Sequence, residues 1–253
     1  MNYFLSQQYN GKDIIITQNK IILMLNGIPN EKQLTMDIDE IRKQISLIGV
    51  KKPYNSENYN LYYYKPLEDA AIPYINYIYY YLFFINLKIP TLNEMLDTYI
   101  KFHCYTRPDG MLEIKREFGN IGFAFTKEQL HGRIFRAYNS FHREIELFFQ
   151  LKNYEGINIE YSFAKDLKGI DFTVTYNNKI YYLATFVDSH RSSYWKKIKD
   201  NERHSELNER LINISAIINP KEENYNCRYL NGVYLYNPVF VANMYVDMVK
   251  KNS

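Results

Sequence analysis

Cysteine and tryptophan are scarce in this chain, with two Cys and one Trp in 253 residues. Cys104 and Cys227 stand in no CxxC pair and have no histidine at zinc-ligand spacing. That excludes a disulfide-stapled scaffold, argues against a structural zinc site and suits a reducing, cytoplasmic setting. The five histidines (103, 131, 142, 190, 204) do not cluster at ligand spacing. There is no Walker-type glycine loop, no GxGxxG and no GxSxG elbow, so the sequence motifs of nucleotide-binding folds and α/β-hydrolases are missing. The opening MNYFLSQQYNGKD lacks the basic-then-apolar order of a secretory signal. Charge of one sign is also in short supply: 31 Lys+Arg against 28 Asp+Glu leave +3. That excess is too small to argue for nucleic-acid binding globally, so any basic signal must be local.

What the chain does have is apolar and aromatic content, 46% hydrophobic with 26 Tyr and 15 Phe. Its length suffices for one large domain or two modest ones with a self-sufficient core. Tyrosines scattered this widely read as amphipathic core-and-surface residues. Residues 13–27 carry two β-branched runs around Thr17-Gln18-Asn19-Lys20, a β-hairpin pattern. Residues 31–49 have apolar positions at helical spacing and stop at Gly49. Residues 50–68, polar and rich in Tyr and Asn, read as a loop. The most apolar stretch, 70–89, contains Pro73, Asn76, Asn86 and Lys88, which favours a buried helix over a membrane span. Thr91 and Glu94 form a capping box for the next helix, and Arg107–Gly110 forms a turn.

In the second half, Thr126 and Gln129 form another capping box and open a helix to about Asn153. Segments 157–163, 169–176 and 179–188 read as strands, the last two joined by Asn177-Asn178. A basic helix (192–204), an apolar-periodic helix (205–218), a strand (231–237) and a helix (238–250) follow. The fold class expected is α/β, a mixed sheet flanked by helices, with an N-terminal region over 1–118 and a core over 119–253.

Two acids stand out. Glu144 falls in the apolar stripe Ala137, Phe141, Phe148, Leu151, where a carboxylate must be compensated, protonated or used. A purely structural role would pair it with Arg136 or Arg143. Glu146 falls with His142 and Phe149 on a more polar side. Asp171 follows Gly169-Ile170 at a strand start, sharing a face with Thr173 and Thr175 opposite Ile170, Phe172 and Val174. A strand Asp near a helix Glu suits a divalent cation held by hard oxygen ligands; the plainer role is an edge-strand Asp bonded to a turn.

A helix with Glu, a strand with Gly-Ile-Asp, a hairpin and a hydrophobic strand resemble the PD-(D/E)XK nuclease superfamily, the restriction-endonuclease-like fold, over about residues 126–200. The resemblance implies Mg²⁺ held by Asp171 with Glu144 as an accessory acid, phosphodiester hydrolysis, and a defence or mobile-element setting. The sequence departs from the E-x-K element: ungapped placement sets Ala184 at the acid position and Phe186 at the lysine position. Asp188 as a substitute ligand and Lys196, Lys197 or Lys199 as the cation are the candidates for a migrated site.

Asp188-Ser-His-Arg-Ser-Ser193 leads into the basic helix, which Ser192 or Ser193 can cap. From Arg191 to Arg203 there are five basic and two acidic residues, a local +3. His190, Arg191, Ser192, Trp195, Lys196, Lys197, Lys199 and Arg203 thus make a candidate nucleic-acid contact, duplex DNA by expectation. Arg133 and Arg136 either touch phosphate or form salt bridges. The alternatives are an inactive nuclease-like module that binds a protein partner, or a small-anion or nucleotide site at 190–193. No membrane partner is expected; a homodimer is compatible with the sequence.

Overall fold

The alternating apolar residues at the N-terminus pair as their pattern requires. In the computed structural model, β1 (Lys12–Ile16) and β2 (Lys20–Leu25) form an antiparallel hairpin. The structure describes residues 12–49, 51–69, 74–115, 122–167, 169–187, 212–218 and 227–250. The chain turns again at Asn26 (φ 53°) and Gly27 (φ 80°), a two-residue hairpin turn, and returns as β3 (Ile28–Gln33). That turn fixes β3 against β2 and draws residues 31–33 out of the expected helix. Helix α1 therefore runs Ile38–Ile48, with the Asp37 side chain accepting from the Glu40 amide at 2.9 Å.

The segment read as a loop holds two short helices, α2 (Tyr59–Tyr62) and α3 (Lys65–Asp69). The apolar stretch forms α4 (Ile75–Asn86), which buries Ile75, Ile78, Tyr79, Tyr80, Phe83 and Phe84. Among the described residues, no helix is long and apolar enough to cross a membrane. Helix α5 (Leu92–His103) opens with the Thr91–Glu94 capping box and leads into the small hairpin β4 (Cys104–Thr106) and β5 (Leu112–Ile114).

Helix α6 (Lys127–Leu151) is 25 residues long and begins at the Thr126–Gln129 capping box. Strand β6 (Ile157–Ser162), the single-turn α7 (Phe163–Asp166), β7 (Phe172–Tyr176) and β8 (Lys179–Val187) follow. Asn177 and Asn178 turn the β7–β8 hairpin at φ 47° and 62°. Strand β9 (Ile212–Ile218) lies parallel to β8. This corrects the expected helix over 205–218 for residues 212–218, the earlier ones lying outside the described residues: the segment INISAII is dense in β-branched isoleucine, a residue type that loses side-chain freedom in a helix and favours strands. The last described elements are the hairpin β10 (Cys227–Leu230) and β11 (Val233–Tyr236), then α8 (Pro238–Lys250).

Seven strands make one sheet in the order β3-β2-β1-β6-β7-β8-β9, antiparallel except for the β8–β9 pair, with β3 at one edge. The molecule is thus mixed α/β. The sheet runs across position 118/119, because Ile15 and Ile16 of β1 pair with Ser162 and Tyr161 of β6. Helix α6 packs against α1, α2, α5, α8 and β11, and is buried continuously from Glu144 to Leu151.

Gly132 is what lets α2 sit on α6, since a Cβ there would lie 2.1 Å from the Tyr62 carbonyl oxygen. Gly132→Ala is expected to destabilise the chain by about 1–3 kcal/mol despite its better helix propensity. Urea denaturation measures this; an unchanged midpoint would show that α2 does not need so close an approach.

Candidate functional site

Burial of α6 on several sides decides what its polar residues do. Glu144 is only 8% exposed, and the Tyr80 hydroxyl donates to its Oε2 at 3.3 Å. Arg136, one of the expected partners, instead turns to Glu68, donating from Nε at 2.9 Å and again from Nη2, with Arg133 Nε 4.0 Å from the same carboxylate. Those two arginines fasten α3 to α6, because Glu68 is itself buried and requires a counter-charge. Arg143, the other expected partner, does lower the cost of ionising Glu144.

Asp171 lies just before β7, a central strand rather than an edge. Its amide donates to the Leu183 carbonyl at 3.1 Å. Its Oδ2 accepts from the Thr185 amide at 2.5 Å and from the Thr185 hydroxyl at 2.7 Å. The carboxylate thus stands in for a ladder carbonyl at the mouth of the β7–β8 hairpin. The β7–β8 register, carried one residue on, puts Ala184, the residue at the expected acid position, opposite Asp171; the side chain that meets it is Thr185. By strand alternation Thr185 shares the face of buried Tyr181 and Leu183, and Phe172 on that face meets Phe148 of α6. The carboxylate is therefore drawn toward α6, not out with Thr173 and Thr175.

A third acid joins these two. Asp166 at the end of α7 accepts on Oδ2 from Asn76 Nδ2 (2.8 Å) and the Tyr161 hydroxyl (3.1 Å). The Tyr161 ring packs on Tyr80 with centroids 4.0 Å apart. Burial pushes the Glu144 carboxyl well above its ordinary value, and the negative charges of Asp171 and Asp166 push it further. Arg143 and the Tyr80 hydroxyl only partly oppose this. The phenols of Tyr80, Tyr161 and Tyr236 are raised for the same first reason, burial, so they remain donors. Tyr236 of β11 is also hydrogen-bonded to Thr185. The cluster sets one buried acid, Glu144, beside two half-buried ones, Asp166 and Asp171, answered by neutral hydroxyl and amide donors, with Arg143 as the nearby cation. Sequence reasoning named Glu144 and Asp171 and missed Asp166, Tyr80, Tyr161, Asn76 and Thr185. The one signal for Asp166 was a second aspartate on the other side of Gly169.

The fit to Mg²⁺ can be judged on this donor set. Magnesium takes ionised, outward-facing oxygens in near-octahedral geometry. Here Asp171 Oδ2 is already committed to two Thr185 donors. Among the described residues, no group of three or more His, Cys, Asp or Glu could hold a metal ion. The described residues do not make up a magnesium site. Asp188, His190, Arg191, Ser192, Trp195, Lys196, Lys197, Lys199 and Arg203 lie outside the described residues.

The side of α6 read as more polar is fully buried, which corrects that expectation. Glu146 and His142 have no exposed surface. Glu146 is met by Arg42 of α1 (3.1 Å), Arg228 of β10 (3.0 Å) and Gln150 (2.7 Å). His142 places Nδ1 2.9 Å from the Tyr138 carbonyl. Burial holds its imidazole down to about 4.

These shifts give stability two opposite pH slopes. A Glu144 carboxyl raised above its ordinary 4.5 contributes fully below that value and loses its contribution as pH climbs through the folded value. Glu144→Gln is therefore expected to gain on wild type as pH rises, by about 1.4 kcal/mol for each unit of elevation. His142, held below its ordinary 6.5, contributes above 6.5 and loses its contribution as pH falls toward 4, on the order of 3 kcal/mol. Melting temperatures of wild type, Glu144→Gln and His142→Phe across the acid-to-neutral range separate the two slopes.

No protein-family model, curated protein or solved structure matches the chain.

Proposed function

We propose that this chain binds nucleic acid through a nuclease-like core and lacks the magnesium-dependent cleavage that the resemblance implies. The observation that carries the reading is the meeting of Glu144 and Asp171. Glu144 lies in the helix and Asp171 immediately ahead of the second strand of the α6–β6–β7–β8 succession, and the Asp171 charge acts on Glu144. One further observation favours binding over cutting. Ala184 and Thr185 occupy the stretch of β8 beside Asp171, so no acid or lysine is supplied there. Duplex DNA is the proposed partner, with Arg191, Lys196, Lys197, Lys199 and Arg203 against phosphates and Trp195 among them.

A second reading, a Mg²⁺-dependent endonuclease, is favoured by the acid pair itself. It requires Asp188 and Lys196 to replace the acid and lysine that β8 lacks.

A gel shift with duplex DNA at rising salt tests binding. Replacing Lys196, Lys197 and Lys199 with Gln is expected to shrink the log–log salt slope by roughly 0.9 for each phosphate that is no longer neutralised. A plasmid incubated with Mg²⁺ or Mn²⁺ tests cleavage, with Asp171→Asn as the control that keeps an acceptor for Thr185. The expected outcome is a shifted duplex and no nicking. Nicking by wild type that Asp171→Asn abolishes would establish the second reading, and absence of any shift at low salt would reject both.

A further inference from the structure

A cationic surface with an exposed ring lies on elements outside the acid cluster. Lys101 and Phe102 end α5, Lys115 follows β5, Lys12 opens β1 and Lys32 lies in β3. Contacts tie them together. Lys115 Nζ donates to the carbonyls of Lys101 (3.2 Å) and Phe102 (2.9 Å). Lys101 Nζ sits 5.6 Å from the Phe102 ring centre. Phe102 meets Tyr81 of α4 edge-on, at 6.1 Å and 79°. One turn along α4, the Ile85 carbonyl accepts from Lys32 Nζ at 2.7 Å. Lys115 and Lys12 both act on His103, whose imidazole burial already holds down.

None of these four lysines forms an ion pair among the described residues, whereas Lys20, Lys127 and Lys165 do. Carbonyl and ring contacts orient an ammonium without cancelling its charge, so positive potential accumulates here. Two acids lie near, Glu113 hydrogen-bonded to the Tyr105 hydroxyl and Asp13 to Ser162 and the Ala164 amide; they reduce the net charge of the surface without pairing with these lysines. Phe102 is 42% exposed and its ring is oriented by Tyr81. Bases within a duplex are already stacked on both faces, so an exposed ring gains most from an unpaired base.

We propose that the Lys12–Lys32–Lys101–Lys115 surface binds a single strand of nucleic acid, with phosphates against the lysines and one base stacked on Phe102. The proposal rests on the nucleic-acid reading above but uses none of the residues named there. It gives the protein a place for an unpaired strand in addition to the proposed duplex contact.

Fluorescence anisotropy with the full chain tests it, using labelled oligothymidine and a blunt duplex. Phe102→Ala is expected to weaken oligothymidine binding on the order of tenfold while leaving the duplex unaffected, and Phe102→Tyr is expected to restore it. Lys12→Gln with Lys101→Gln should lower the single-strand salt slope by about 1.4. Both lysines are exposed, so these variants are expected to fold, and their melting temperatures check this. If wild type binds oligothymidine and every variant binds equally well, the surface is wrong and the nucleic-acid reading stands. Binding of the duplex alone also overturns the single-strand assignment. If wild type binds neither nucleic acid at low salt, both proposals fall.

Discussion

Everything else in this fold accommodates one constraint: α6 is buried along most of its length and yet carries titratable side chains on more than one face. An isolated ion in a protein interior costs several kcal/mol unless it is neutralised or paired. The helix meets that requirement in two ways within three residues. Glu146 is paired with guanidinium groups from α1 and β10, so an N-terminal helix and a C-terminal hairpin are held to the same carboxylate. Glu144 has a phenol and two other acids for neighbours, and its environment favours the proton instead.

This difference is why the proposed function draws on Glu144 and not on Glu146. A carboxylate with two close arginines is satisfied, and its role is to join elements. A carboxyl kept near neutrality beside Asp171 and Asp166 is poised to respond to any charge brought near it. The proposed loss of cleavage and the retention of this acid cluster are compatible, because the cluster is also the junction of α4, α6, α7 and the head of β7. Removing it would leave Tyr80, Tyr161 and Asn76 without acceptors, a structural penalty independent of catalysis.

Much of the architecture was legible in local chemistry. The two capping boxes, the Asn177-Asn178 turn, the buried character of 75–86 and the strands of the β6–β8 meander all followed from residue type and spacing. Strand β3 was missed although Asn26-Gly27 is a strong hairpin signal, because the helical spacing downstream drew the boundary too early. The segment 212–218 was misread because an apolar run of that length fits either period, and its parallel pairing with β8 is a long-range fact. Glu144 and Asp171 could be named because each breaks a local rule. Asp166, Tyr80 and Thr185 break none, and only tertiary packing brings them to the same place. The polar side assigned to Glu146 failed for the same reason, since amphipathicity shows one buried face and is silent about a helix covered on several.

Strand β3 carries a further implication. Among the described residues no strand pairs with its outer side, and such borders invite accretion of foreign strands. Here that border carries Pro29, which has no amide hydrogen to offer, and the charged Glu31 and Lys32. Amyloid-like stacking and rim-to-rim dimer formation are both discouraged along β3, so a second copy of the chain would have to dock by some other face.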